Sequence, residues 1–134
     1  MLNIFVCEDN TAQRRTVVQI IQNTVLIEEL DMQLIIDTGD PYVLLEKVRL
    51  SQNTGIYFLD IDLSSDMNGM KLAQQIRLFD PRGFIIFITA HSELSYMTFQ
   101  YRVEAMDFVL KDSPAEAKVK IRECLLNAME RYTL

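Results

Sequence analysis

Five short runs in this chain read as β-strands: "LNIFVC" (2 to 7), "MQLIID" (32 to 37), "GIYFLDI" (55 to 61), "GFIIFIT" (83 to 89) and "MDFVL" (106 to 110). Most are apolar on successive residues. A strand exposed on one side alternates apolar and polar residues, whereas a strand covered on both sides reads as a continuous apolar run. Between and after the runs lie segments of helical period: Val17, Ile20, Ile21 and Val25 in 11 to 29, then Leu44, Leu45 and Val48, then Leu72, Ala73 and Ile76. Asp40-Pro41 supplies an N-cap and a first-turn proline for the second helix, and Gly69 closes the polar loop before the third. A fourth helix is expected over 93 to 102. The last is expected from Ser113 to about 131, opened by Ser113-Pro114-Ala115-Glu116 as a capping box with proline at N1. Strand followed by helix, repeated with right-handed crossovers, leaves an α/β doubly wound parallel sheet as the fold class. At 134 residues, without repeat, low-complexity tract or linker, the chain forms one domain able to bury about two thirds of its unfolded surface.

In such sheets the ligand crevice lies at the carboxyl ends of the strands. Four of the five runs place polar residues there: Glu8 and Asp9 after the first, Asp60 and Asp62 after the third, Thr89 after the fourth and Lys111 after the fifth. With strand order 2-1-3-4-5, strands 1 and 3 are neighbours, and Glu8, Asp9 and Asp60 converge. Carboxylates that close repel, which raises their pKa values or demands a cation. Magnesium suits the set, because it prefers oxygen ligands, keeps several waters and completes its shell with phosphate oxygens. Lys111 offers a point charge for a phosphate and Thr89 a hydroxyl donor. Together these groups can clamp a transferring phosphoryl group while a central carboxylate attacks it.

Composition narrows the function classes. A net charge of −6 and a pI near 4.7 argue against binding of nucleic acid or anionic membrane by this segment. No apolar stretch reaches the length of a membrane span and the N-terminus begins a strand at once, so a cytoplasmic protein is expected. Cys7 and Cys124 lack CxxC spacing and read as reduced packing thiols, and His91 has no ligand partner near it in sequence.

The ordered set Glu8-Asp9, Asp60 in "FLDI", Gly69, Thr89-Ala90 and Lys111 with Phe108 three positions before it resembles the receiver domain of bacterial two-component response regulators, over essentially the whole chain. Within that family, "YFLDIDL", "FITAHSE" and "AMDFVLKD" look most like the accessory-gene-regulator and competence regulators of quorum sensing. The resemblance implies a flavodoxin-like (βα)5 fold for residues 1–134, ahead of a C-terminal LytTR DNA-binding domain that this chain does not include. It implies Asp60 as phospho-acceptor from a sensor histidine kinase. It also implies Mg2+ held by Asp9, Asp60, the backbone carbonyl of Asp62 and, through water, Glu8. Lys111 would pair with the phosphoryl group, while Thr89, Ala90 and Phe108 respond to it. Such a protein is a phospho-acceptor and not an enzyme, contacts DNA only through the further domain, has no membrane partner, and forms a homodimer on phosphorylation. Tyr96, Phe99 and Tyr101 within 93 to 131 are the candidate dimer aromatics.

Three features depart from the family pattern: Asp112 where proline usually follows the lysine, a loop "IDLSSDMNG" one residue longer and without its proline, and an acidic Asp62. Two alternatives stay open on sequence. "DIDLS" also resembles the nucleophile motif of haloacid-dehalogenase phosphatases, although those enzymes take their further metal acids from downstream. A pseudo-receiver would only bind partners.

Overall fold

The computed structural model describes residues 1–90 and 102–134. In chain order it contains β1 (Leu2–Cys7), α1 (Thr11–Ile27), β2 (Met32–Thr38), α2 (Pro41–Leu50), β3 (Gly55–Leu59), α3 (Gly69–Phe79), β4 (Phe84–Thr89), β5 (Asp107–Leu110) and α4 (Pro114–Thr133). The helix expected over 93 to 102 lies outside the described residues but for its last position, as do His91, Tyr96, Phe99 and Tyr101. All strand pairs are parallel, in the order β2-β1-β3-β4-β5. The flavodoxin-like doubly wound architecture expected from the sequence is the one observed.

Because side chains alternate across a strand, the sheet sorts its apolar residues into two cores. Leu2, Ile4, Val6, Ile56, Phe58, Ile86, Ile88 and Val109 pack beneath α1 and α4, which contribute Val17, Ile21, Ile121 and Leu125. Phe5, Cys7, Tyr57, Leu59, Ile85 and Phe87 face the other way, against Leu44 and Val48 of α2 and Leu72, Ala73 and Ile76 of α3. The central strands β1 and β3 are buried at every position, while edge strand β2 alternates between buried or half-buried and exposed residues. Its register against β1 slips after Ile4–Leu34, so that Phe5 pairs with Ile36 and Ile35 is passed over and partly exposed.

Boundaries moved where backbone hydrogen bonds ended the element. α1 stops at Ile27 rather than 29, because Glu29 takes a left-handed φ of 51° and Leu30 N–H returns to Val25 O at 3.0 Å, closing the helix. β3 stops at Leu59, since Ile61 O turns to accept from Gly69 N–H at 2.9 Å. Asp40 caps α2 as expected, accepting from Tyr42 N–H at 2.9 Å. The capping box at α4 does not form: Ser113 is the N-cap, but its side chain makes no cap hydrogen bond. Entry into α4 instead rests on Pro114, whose ring presets the helical φ, and on the first backbone bond, Ala117 N–H to Ser113 O at 2.9 Å. Among the described residues no helix is long and apolar enough to cross a membrane.

Candidate functional site

The parallel ladder brings the site together. Cys7 and Leu59 pair at the ends of β1 and β3, and Asp60 N–H continues the ladder to Cys7 O at 2.9 Å. Glu8 N–H does the same toward β2, reaching Thr38 O at 3.0 Å, and Lys111 N–H reaches Thr89 O at 3.0 Å across β4 and β5. Each functional residue therefore sits one step past a strand end, with its backbone still fixed by the sheet.

Glu8 and Asp60 are buried, at 3% and 4% exposure, and Asp9 is intermediate. A carboxylate oxygen of each lies within 4.8 Å of the others. Lys111 reaches in from β5: its Nζ donates to Asp60 Oδ2 at 2.8 Å and to Gln13 Oε1 at 2.9 Å, and stands 2.5 Å from Glu8 Oε1. Two of its three donors are thus committed, to Asp60 and Gln13. The Glu8 contact is an ion pair without hydrogen-bond geometry, which leaves the solvent-inaccessible Oε1 with no hydrogen-bond partner among the described residues. The Asp60 carboxylate also receives Asp62 N–H on Oδ1 at 3.2 Å, and Asp9 Oδ2 receives both Ser64 N–H at 2.9 Å and the Ser64 hydroxyl at 2.5 Å.

The electrostatics follow from this crowding. Burial, together with the neighbouring Asp60 carboxylate, pushes the Glu8 pKa up to about 7 against the pull of Lys111. Asp9 is affected by burial in the same sense, but the Ser64 hydrogen bonds outweigh it and hold its carboxyl below the usual range. Burial alone would lower the Lys111 pKa; Asp60 and Glu8 more than offset it and keep the ammonium charged.

Two features of the backbone shape the mouth. A Cβ at Gly69 would stand 2.1 Å from Asp60 O and 2.7 Å from Ile61 Cα, so only glycine lets α3 start against the segment that leaves β3. Asn68 then caps α3, accepting from Lys71 N–H at 2.9 Å. The remaining expected residues fall around this cluster. Thr89 is fully buried at the end of β4, Ala90 is exposed beside it, and Phe108 stacks on Phe87 with ring centroids 5.4 Å apart. Asp62 is exposed, and its side chain stands outside the acid cluster. Ser64, Gln13 and Arg14, which donates to Glu8 O at 2.8 Å, are site residues that sequence reasoning missed. Only their closeness to the motif acids hinted at them.

A parallel five-stranded sheet carrying a buried acid cluster, a lysine and a threonine on its carboxyl edge is the architecture of a phosphoryl-signalling receiver. The chain belongs to the response regulator receiver domain family, which it matches over residues 4–122. It is 53% identical to accessory gene regulator protein A of Staphylococcus epidermidis and 50% identical to that of Staphylococcus aureus, in each case over 99% of this chain. The chain spans 56% of the length of these relatives. Among solved structures it resembles the response regulatory domain of protein mrkE from Klebsiella pneumoniae, with a TM-score of 0.78 and 25% identity over 96% of this chain and 98% of that one. The receiver domain of AraT from Geobacillus stearothermophilus shares the fold at a TM-score of 0.74 and 19% identity, over 97% of each chain. These matches do not favour the haloacid-dehalogenase and pseudo-receiver alternatives.

Proposed function

We propose that Asp60 accepts a phosphoryl group from the phosphohistidine of a sensor histidine kinase, with Mg2+ as cofactor. The observation that carries this reading is the burial of the Asp60 carboxylate between two further acids and Lys111 at a strand end. A carboxylate oxygen of Asp60 attacks phosphorus, the P–N bond to the donor imidazole breaks, and the imidazole takes a proton from solvent. Lys111, held by Asp60, Glu8 and Gln13, meets the charge on the phosphoryl oxygens, for which Glu8 or Gln13 gives up its hold.

The donor set fits a hard divalent ion: oxygens only, from Glu8, Asp9 and Asp60, with the orphaned Glu8 Oε1 among them. Asp9, Asp60 and the Asp62 carbonyl would hold magnesium, with Glu8 acting through a water. The bound ion supplies positive charge that lets an anionic donor approach anionic Asp60. Thr89 and Ala90 then contact the added oxygens and Phe108 adjusts, biasing a two-state element at the β4 and β5 ends.

In this reading the chain is a cytoplasmic phospho-acceptor with slow self-dephosphorylation. Its output is a homodimer formed through the region 93 to 131, which positions a DNA-binding domain C-terminal to these residues. The 50–53% identity to accessory gene regulator protein A, of whose length the chain spans 56%, supports a role in gene regulation.

Incubation with acetyl phosphate and magnesium tests the acceptor role. Stable addition of one phosphoryl group, absent from Asp60→Asn and from magnesium-free samples, is expected. Rapid release of phosphate would instead indicate a phosphatase, and no addition a partner-binding module.

A further inference from the structure

Ser64 lies in the loop that departs from the family pattern in length and in its missing proline, and it touches the acid cluster directly. Its backbone N–H and hydroxyl converge on one oxygen, Asp9 Oδ2, at 2.9 and 2.5 Å. No other residue in the 60–68 loop donates to Asp9 among the bonds described. The loop that presents Ser64 is anchored on both sides. Before it, Leu63 is buried at 7% exposure against the core formed with Phe5 and Ile61. After it, Asp66 Oδ1 accepts from the Tyr42 hydroxyl on α2 at 2.8 Å, and Ser65 N–H returns to Leu63 O at 2.8 Å. Ser64 is therefore delivered to Asp9 by a fixed turn, and the two donors restrict the rotation of the Asp9 carboxylate.

We propose that Ser64 is a positioning residue for the cation: it holds Asp9 in the orientation in which that carboxylate joins Glu8 and Asp60 around a divalent ion. This rests on the reading of the acid cluster as a magnesium site. Partners that orient ligating carboxylates contribute strongly to metal affinity, and their loss typically weakens it by about 10–100-fold. Ser64 itself is exposed, so its hydroxyl contributes to folding only a small part of the whole, by favouring the Asp9 carboxylate. Affinity and stability are thereby separable at this position.

The test is titration of magnesium chloride into the metal-free chain by calorimetry, with the thermal unfolding midpoint of the metal-free protein as the second readout. Ser64→Ala is expected to weaken magnesium binding by about tenfold with only a small drop in the metal-free midpoint, and Ser64→Thr, which keeps the hydroxyl, to bind within about twofold of wild type. Wild-type affinity or tighter binding in Ser64→Ala, a metal-free Ser64→Ala chain that no longer unfolds cooperatively, or equal loss in both variants would overturn the proposal. A wild-type chain that takes up no magnesium would instead overturn the metal reading beneath it, and the two failures are distinguished by the wild-type titration alone.

Discussion

The sheet carries a polar cluster at each end, and the two are built on opposite principles. At the carboxyl edge three acids, Glu8, Asp9 and Asp60, face one ammonium, Lys111. At the amino edge Asp80 Oδ2 accepts from the Tyr57 hydroxyl at 2.7 Å and from Gly55 N–H at 2.8 Å. Beside it Arg77 donates to four backbone carbonyls: Val103 O at 2.7 Å, Gly83 O at 2.6 Å, Pro81 O at 3.2 Å and Glu104 O at 3.0 Å. There the Arg77 cation stands near the anions Asp80 and Glu104, and its donors are taken up by oxygens already in place. The amino-edge cluster is complete in itself; the carboxyl-edge cluster has an excess of carboxylates over ammonium, which a proton on Glu8 or an added cation would relieve. A buried polar group that is fully satisfied holds a structure together, whereas one left in surplus is available for chemistry.

The largest effect expected from this contrast is at Arg77. Its guanidinium ties the end of α3 to the turn before β4 and to the segment entering β5, where Arg102 and Glu104 both adopt left-handed φ values, 55° and 53°. Those conformations cost free energy in non-glycine residues and persist only where neighbours impose them. Arg77→Ala should lower unfolding free energy by about 3 kcal/mol in a denaturant titration, from lost charged hydrogen bonds to partly buried carbonyls. Arg77→Lys should recover little, since one ammonium cannot reproduce the planar fork. The deficit should be the same with and without magnesium; a deficit that magnesium repairs would erase the distinction between the two ends.

Lys111 is the matching residue at the other edge, and its loss should behave differently. Lys111→Ala leaves Glu8 and Asp60 buried without their cation, a change expected to cost about 2 kcal/mol in metal-free protein, moderated because Glu8 can take up a proton. Magnesium should then stabilise the variant more than it stabilises wild type, because the site has gained a negative charge. Equal stabilisation of both by magnesium, measured as the shift in unfolding midpoint, would show that Lys111 and the ion do not share one anionic site.

The difference between the two ends also explains what could be read from sequence. The carboxyl edge was legible because parallel topology puts every strand end on one side, so Glu8, Asp9, Asp60 and Lys111 needed only correct strand boundaries to be brought together. The amino edge was not, because its parts look ordinary in sequence. Tyr57 reads as one more apolar residue of a buried strand, Arg77 as the polar face of a helix, and Asp80 as a turn residue. Close approach also hides in glycine: a Cβ on Gly55 would stand 2.4 Å from the Tyr57 hydroxyl, a constraint that appears only once the ring has been placed. Ser64 and Gln13 escaped for a related reason, since loop conformation and side-chain reach decide their contacts. At Ser113 the capping-box pattern was present in sequence, but the side chain makes no cap bond.

A smaller test divides the amino-edge cluster further. Tyr57→Phe removes the hydroxyl from Asp80 yet leaves the Gly55 N–H bond to the same oxygen, so Asp80 keeps a partner. The expected loss is about 1 kcal/mol, the ordinary net contribution of one hydrogen bond. A loss as large as that of Arg77→Ala would mean that Tyr57, Asp80 and Arg77 act as one cooperative unit.

A last test uses the two thiols. Both have pKa values pushed up to about 12, chiefly by burial, but their further causes differ. Cys7 lies under the carboxyl edge and feels Asp40, Glu8, Asp60 and Asp9; Cys124 faces Asp107, with Lys120 opposing. In each case the folded pKa exceeds the unfolded one, so the unfolded chain releases a thiol proton first as pH rises. The stabilising contribution is complete below about pH 9 and is lost between there and about pH 12. Stability should therefore fall above pH 9. Cys124→Ala should flatten that fall by up to one proton, about 1.4 kcal/mol per pH unit, on top of a pH-independent loss from the vacated core volume. The measurement is the slope of unfolding free energy against pH between 9 and 10.5. An unchanged slope in Cys124→Ala would assign the alkaline loss to Cys7 beneath the anionic edge and to the buried Tyr57 phenol, whose pKa burial also raises.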